Sequence, residues 1–195
     1  MSGRRWKRVP WELRYVHGAR LASLARRAAI VATHQHCRVV FEGDAHLGPG
    51  FTLHIPDDGE LVIGHGVDFR ARFKCEISGT GRVRIGAGSV FTSGGLVQCS
   101  TTIDIGEGSV FGQEVLIVDG SHRFRDPTRP MLQQGYDYRP ITIGRHAAVM
   151  SKVTIAADIG EHAFVGANAV VLDPVPAYSL AVGVPARVID HFGPE

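Results

Sequence analysis

A histidine set between two aspartates, Asp119-Gly-Ser-His122-Arg-Phe-Arg-Asp126, is the arrangement in this 195-residue chain most suited to proton chemistry. An unperturbed imidazole titrates near ~6.5, so at neutral pH it can accept a proton from a hydroxyl, which an ordinary carboxylate does poorly. The residue types leave the aspartates two roles, orienting the ring or binding substrate hydroxyls. His122 lies in a polar, proline-punctuated segment, residues 119–140, between two stretches of a short apolar repeat. Segments longer than ~12 to 15 residues without structure of their own are uncommon in compact domains and are often functional.

The other reactive side chains point less sharply. Cys37, Cys75 and Cys99 are odd in number and form no CxxC-like pair, which argues against a disulfide framework or a cysteine zinc site and for a reducing, cytoplasmic setting. Cys99 has no evident base partner and reads as packing rather than as a nucleophile. Three imidazoles can hold a catalytic zinc ion, as in the gamma-class carbonic anhydrases. His122, His146 and His162 sit on different repeats, however, and no metal is expected. No glycine-rich phosphate loop follows a strand.

These residues need a scaffold. With 44% hydrophobic and 21% charged residues, the chain suits one globular domain, and its 24 glycines and modest 8% of aromatics favour a β architecture with a core of Val, Ile, Leu and Ala. The net charge of +2 hides an asymmetry: residues 1–40 hold nine Lys or Arg against Glu12 alone, while the remainder holds twelve against eighteen acids. Residues 10–33 predict a helix, with Pro10 and Glu12 at its start. Leu13, Val16, Leu24, Ala28 and Val31 form an imperfect apolar face, interrupted by Arg20 and weakened by Gly18. That face predicts packing on the domain or a neighbouring subunit with the arginines in water; a basic helix on anionic lipid at the inner membrane face is the alternative. No apolar run reaches the ~18 to 20 residues of a membrane span. The arginines within residues 13–32 argue against a signal segment, and basic residues without aromatic interleaving argue against nucleic acid.

From about residue 37, Ile-Gly or Leu-Gly pairs recur at 47–48, 63–64, 85–86, 105–106, 143–144 and 159–160. Their spacings of 16, 22, 20, 38 and 16 scatter around eighteen or its double, and sixes appear within them: Ile143, Val149, Ile155, then Ile159, Val165, Val171. Six-residue strand-and-turn units, three to a triangular coil, explain both, with coils stacking by parallel pairing. The spacings of 22 and 20 predict insertions near residues 68–84 and 91–102; the final 16 predicts a shortened coil. The helix would cover one open end and the proline-rich tail the other.

The segments ITIG at 141–144, IGEHAFVGANAVV at 159–171 and VPAYSLAVGVPARVI at 175–189 resemble the hexapeptide-repeat acyltransferases, especially sugar and polysaccharide O-acetyltransferases similar to the maltose and galactoside enzymes. The resemblance covers roughly residues 60–190. It implies a left-handed parallel β-helix, an exception to the right-handed crossover rule, assembled as a homotrimer with active sites between subunits and the interrupting loop projecting into one of them. It matches the family's catalytic histidine to His122, as general base for a hydroxyl attacking an acyl-CoA thioester, and leaves the roles of Asp119 and Asp126 open: either aspartate would orient the ring or meet the acceptor. The pantetheine groove maps to Ser151 and Ala167, and a phosphate-binding cation to Arg187. Departures stand at Ala148, where relatives carry Trp, at Leu172-Asp173 in place of Thr-Lys, and at Asp190 in place of a base; Arg145, Lys152 or the basic helix would then replace the lost cations. Coil spacing adds Gln98, and Glu76 one coil earlier, as acceptor contacts.

The expectation is therefore a helical extension (1–36), an all-β, left-handed β-helix domain (37–189, with the loop 119–140 projecting) and a tail (190–195). Its activity would be transfer of an acetyl or related acyl group from CoA to a hydroxyl of a saccharide or glycolipid precursor; a non-catalytic β-helix scaffold is the alternative.

Overall fold

The computed structural model describes residues 17–194. Helix α1 (Gly18–Thr33) precedes a three-faced parallel β-helix. The first face stacks β1 (Arg38–Phe41), β4 (Glu60–Ile63), β7 (Arg82–Ile85), β10 (Thr102–Ile105) and β15 (Ile141–Ile143). The second stacks β2 (His46–Leu47), β5 (Asp68–Ala71), β8 (Val90–Ser93), β11 (Val110–Phe111), β16 (Ala148–Val149), β18 (Phe164–Val165) and β20 (Ser179–Val182), with β21 (Arg187–His191) added antiparallel. The third stacks β3 (Thr52–His54), β6 (Lys74–Ile77), β9 (Leu96–Cys99), β12 (Leu116–Val118), β17 (Thr154–Ile155) and β19 (Val170–Val171). β13 (Gly120–His122) and β14 (Tyr136–Tyr138) form a separate antiparallel ribbon.

The six-residue step is strict at two corners and absent at the third. Inward residues run Ile63, Phe69, Cys75; Ile85, Phe91, Val97; Ile105, Phe111, Ile117; Ile143, Val149, Ile155; Ile159, Val165, Val171, all buried. The return from third face to first takes ten residues from Cys75 to Ile85, eight from Val97 to Ile105, 26 from Ile117 to Ile143 and four from Ile155 to Ile159. All variation in coil length is thus confined to one edge of the prism, and residues 119–140 leave from that edge.

The Ile-Gly pairs have a steric cause. A Cβ on Gly86, Gly106, Gly144 or Gly160 would lie 2.4, 2.4, 2.3 or 2.2 Å from a main-chain nitrogen of the next coil, so only glycine fits beneath it. Leu47-Gly48 breaks the series: Leu47 pairs with Phe69 on the second face, while the column of Ile63, Ile85, Ile105, Ile143 and Ile159 belongs to the first.

Coil length also sets core chemistry. The long early coils enclose a wider interior, filled by Phe69, Phe73, Phe91 and Phe111; the Phe91 and Phe111 rings stack at 4.4 Å. The 16-residue coils close around Ala147, Ala157, Ala163 and Ala169. The purely aliphatic core expected from composition therefore holds for the later coils only, because close packing requires side-chain volume to match the enclosed space.

The helix docks in the opposite sense to its sequence pattern. Each coil's N–H groups donate towards the next, as Ser78 does to Cys99 and Arg82 to Thr101, so the first coil is left with unclaimed carbonyls. Arg26 donates to the Leu47 carbonyl (2.7 Å), Arg27 to that of Gly43 (2.9 Å) and Ser23 to that of Ala45 (3.4 Å). Arg27 also covers the Phe41 ring. Arginines and a serine suit this end because it is a row of polar backbone groups needing partners. Leu24 and Val31, expected to pack inwards, are exposed together with Leu21; Pro10, Glu12, Leu13 and Val16 lie outside the described residues. At the other end β21 runs through Asp190 to His191, across the tail boundary drawn from sequence.

Candidate active site

The segment 119–140 is a structured arm. Its ribbon pairs Gly120 with Tyr138, Ser121 with Asp137 and His122 with Tyr136, and a 3-10 turn at Met131–Gln133 forms the tip. Arg123 and Asp137 form an ion pair across the ribbon at 2.6 Å.

Asp119 anchors the neck of this arm. The residue is 4% exposed, and its carboxylate accepts hydrogen bonds from Ser100 N–H (2.9 Å), Thr101 N–H (2.6 Å) and Thr101 Oγ1 (2.7 Å). Above Ser100 the next coil departs as the arm, so the carboxylate takes the place of the carbonyl that would have met these N–H groups. Its main-chain carbonyl accepts from Arg139 N–H at 2.7 Å, closing the neck. Asp126 works within the arm: it accepts from Thr128 N–H (2.9 Å) and Thr128 Oγ1 (2.6 Å), contacts that hold its carboxyl below the usual range. Gln134 bridges both sides of this turn. Both aspartates thus hold the arm together, Asp119 through both carboxylate oxygens and Asp126 through Oδ1, and neither is hydrogen-bonded to the His122 ring among the described residues.

His122 packs its ring on Tyr136, centroids 4.2 Å apart, and its Nδ1 is buried without a hydrogen-bond partner among the described residues. The ring borders a cleft of about 510 Å³ whose walls include Glu76, Gln98, Ser100, Tyr136 and Tyr138. Glu76 and Gln98 pair in register on successive coils of the third face, and the Gln98 amide donates to Glu76 Oε2 at 2.7 Å. The Lys74 ammonium, 2.5 Å from Glu76 Oε1, and then the Gln98 amide hold the Glu76 carboxyl below its usual range. The structure therefore brings Glu76, Gln98 and His122 together. Tyr136 and Tyr138 are the residues that sequence reasoning missed; the Tyr-Asp-Tyr alternation, which puts both rings on one side of a strand, was the available signal.

The donor candidates lie at another corner. Ser151 and Ala167 occupy equivalent positions on successive coils between the second and third faces, where Asn168 N–H donates to the Ser151 carbonyl at 3.0 Å. Ser151 Oγ accepts from Gln113 N–H at 3.2 Å. Next to them Lys152 takes the left-handed turn position, φ 61°, and is exposed. Arg187, matched to a phosphate contact, is paired with Asp173 at 3.2 Å, a charge introduced at one of the sequence departures. Arg145 is likewise engaged, with Glu161 at 2.7 Å. The third face separates His122 from Ser151 and Ala167 within one chain, since its strands run from the second corner to the third.

The zinc alternative does not match this geometry. His146 and His162 lie at the first corner with tilted rings 4.9 Å apart, and Tyr178 stacks on His162, whereas His122 stands on the arm at the third. Cys99 is buried and its thiol is pushed up to about 12 by burial and then by Asp119, which suits packing.

No family model matches the chain. It is 30% identical over 156 residues to the probable acetyltransferase Rv3034c of Mycobacterium tuberculosis (strain ATCC 25618 / H37Rv), covering 78% of this chain and 52% of that protein. It is 33% identical over 97 residues to the serine acetyltransferase of Haemophilus influenzae (strain ATCC 51907 / DSM 11121 / KW20 / Rd), covering 47% of this chain and 33% of the relative. The chain thus spans about half the length of the first relative and a third of the second. In fold it is similar to a galactoside acetyltransferase solved with coenzyme A, with a TM-score of 0.56, 20% identity, and coverage of 96% of this chain and 78% of the other.

Proposed function

We propose that this chain, a β-helix protein whose relatives are hexapeptide-repeat acetyltransferases, transfers an acetyl or related acyl group from CoA to a hydroxyl of a saccharide or glycolipid precursor. The observation carrying this reading is the position of His122, at the edge of a cleft walled by hydrogen-bonding side chains and two tyrosines. As general base, His122 takes the proton of the acceptor hydroxyl while that oxygen forms a bond to the thioester carbonyl carbon. When the C–S bond breaks, the imidazolium returns the proton to the departing thiolate. Glu76 and Gln98 hold neighbouring acceptor groups, and Asp119 and Asp126 act indirectly by fixing the arm.

Small residues at Ser151 and Ala167 leave main chain accessible for a pantetheine arm, and Lys152 supplies a cation beside them. Because His122 and this corner flank opposite edges of one face, a complete site needs the arm of one protomer beside the corner of another, which supports a homotrimer. Three free thiols support a cytoplasmic setting. Lipid contact through the basic helix rests on Arg20 and the basic residues preceding the described region, since Arg26 and Arg27 are engaged by the first coil; sedimentation with anionic vesicles tests it.

The function is tested by thiol release from acetyl-CoA with a panel of sugars and with L-serine, comparing the wild type with His122→Ala. Release with a sugar that is lost in the variant supports the reading. CoA binding without release, or no CoA binding at all, would favour the scaffold.

A further inference from the structure

We propose that Tyr136 and Tyr138 form a stacking platform for an uncharged pyranose ring, and that this pair, through the cleft it shares with His122, restricts the acceptor to a sugar rather than an amino acid. The inference deepens the acyl-transfer reading and rests on it for the presence of an acceptor at this place.

The two rings are nearly parallel, 12° apart with centroids 5.5 Å apart, and remain 43% and 48% exposed although both border the cleft. Their placement is held from behind. Tyr138 lies across Gly120, where a Cβ would come within 2.6 Å of its Cδ1, so a side chain at 120 would displace the ring. Tyr136 is held against His122. Large exposed aromatic surface beside a candidate base suits an apolar ligand face, and the C–H bonds on one face of a pyranose ring present a slightly positive edge to the negative face of an aromatic ring.

The remaining walls decide the polar chemistry. Ser78, Ser100, Ser121 and the Gln98 amide can exchange hydrogen bonds with hydroxyls around such a ring. A free amino acid would need a cation for its carboxylate and an unengaged anion for its ammonium. No lysine or arginine lines this cleft among the described residues; Arg123, Arg125 and Arg129 line a separate cavity beyond His122, away from the two tyrosines. Its two carboxylates are engaged, Glu76 by Lys74 and Gln98, Asp119 by Ser100 and Thr101. Leaving a substrate carboxylate unpaired in such a site opposes binding, so the cleft favours a neutral ring over a zwitterion.

The test uses the full chain, with methyl α- and β-D-glucopyranoside, methyl β-D-galactopyranoside and L-serine as probes. Saturation-transfer NMR without donor should show transfer from tyrosine ring protons to pyranoside C–H protons and none to serine. In turnover, Tyr138→Ala should raise the acceptor KM about tenfold with the acetyl-CoA KM unchanged, while Tyr138→Phe, which keeps the ring, should stay within about threefold of wild type. Gly120→Ala, which moves the ring without removing it, should resemble Tyr138→Ala. Serine saturation without pyranoside saturation, or an unchanged acceptor KM in Tyr138→Ala, would overturn the platform. So would a change of oligomeric state in that variant by light scattering, which would make the tyrosines a subunit contact. Pyranoside saturation without thiol release from any acceptor would keep the platform and remove the transferase reading.

Discussion

Asp119 and Thr101 share two hydrogen bonds: Asp119 Oδ2 accepts from Thr101 N–H at 2.6 Å and from Thr101 Oγ1 at 2.7 Å. The contact joins the neck of the arm to the coil below, three residues before His122. Asp119→Ala would leave the N–H groups of Ser100 and Thr101 without their partner and should cost about 2 to 4 kcal/mol. Calorimetry of unfolding checks the stability, and thiol release should fall because His122 loses its position. Asp119→Asn, which keeps one acceptor oxygen, should fall between the two.

His122→Ala should lower kcat by about 10² to 10⁴, the usual contribution of a general base. Binding of CoA, measured by calorimetry, should change little, because the candidate donor contacts, Ser151, Ala167, Lys152 and Arg187, do not include His122.

The pairing of Arg187 with Asp173 competes with any phosphate. Both side chains are largely exposed, so the pair is worth at most about 1 kcal/mol. Asp173→Asn should therefore lower the KM for acetyl-CoA by about two- to fivefold, and added salt should shrink the difference. An unchanged KM at low salt would remove Arg187 from the donor site.

Glu76 has a depressed carboxyl pKa in the folded protein, caused first by Lys74 and then by Gln98. A depressed folded value means the contribution is present above the ordinary glutamate range and is lost as pH falls through the depressed value. This contribution to thermal stability should thus be fully present above the ordinary glutamate value near ~4.3 and be lost progressively as pH falls from there towards the depressed value. Lys74→Met, which brings the folded value back towards the ordinary one, should make that loss smaller, and Glu76→Gln should abolish this component of it.

Burial pushes the thiols of Cys75 and Cys99 up, Cys99 to about 12, while Cys37 is less buried. In the native protein iodoacetamide should label Cys37 first, with Cys75 and Cys99 reacting only after unfolding; mass spectrometry of the labelled peptides checks this.

The β-helix was legible because its information is local and repeated. Ile143, Val149 and Ile155 announce the six-residue step, and the glycine after each first-face isoleucine records the approach of the next coil's backbone. His122, the proposed base, stands out in the sequence by its residue type, its flanking aspartates and the segment that carries it, and the structure sets it at the edge of the cleft. Gln98 and Glu76 were legible because stacked coils turn a 22-residue spacing into adjacency. Tertiary structure alone decided where polar groups found partners. Asp119 turns to a coil 18 residues back, because the next coil is missing above Ser100. Arg26 and Arg27 face inwards, because the first coil ends in carbonyls. Tyr136 and Tyr138 became a wall of the cleft only when the arm folded into a ribbon. Periodicity specifies which residues share a face, whereas the partner of a carboxylate, guanidinium or ring depends on which chain end or gap the fold brings beside it.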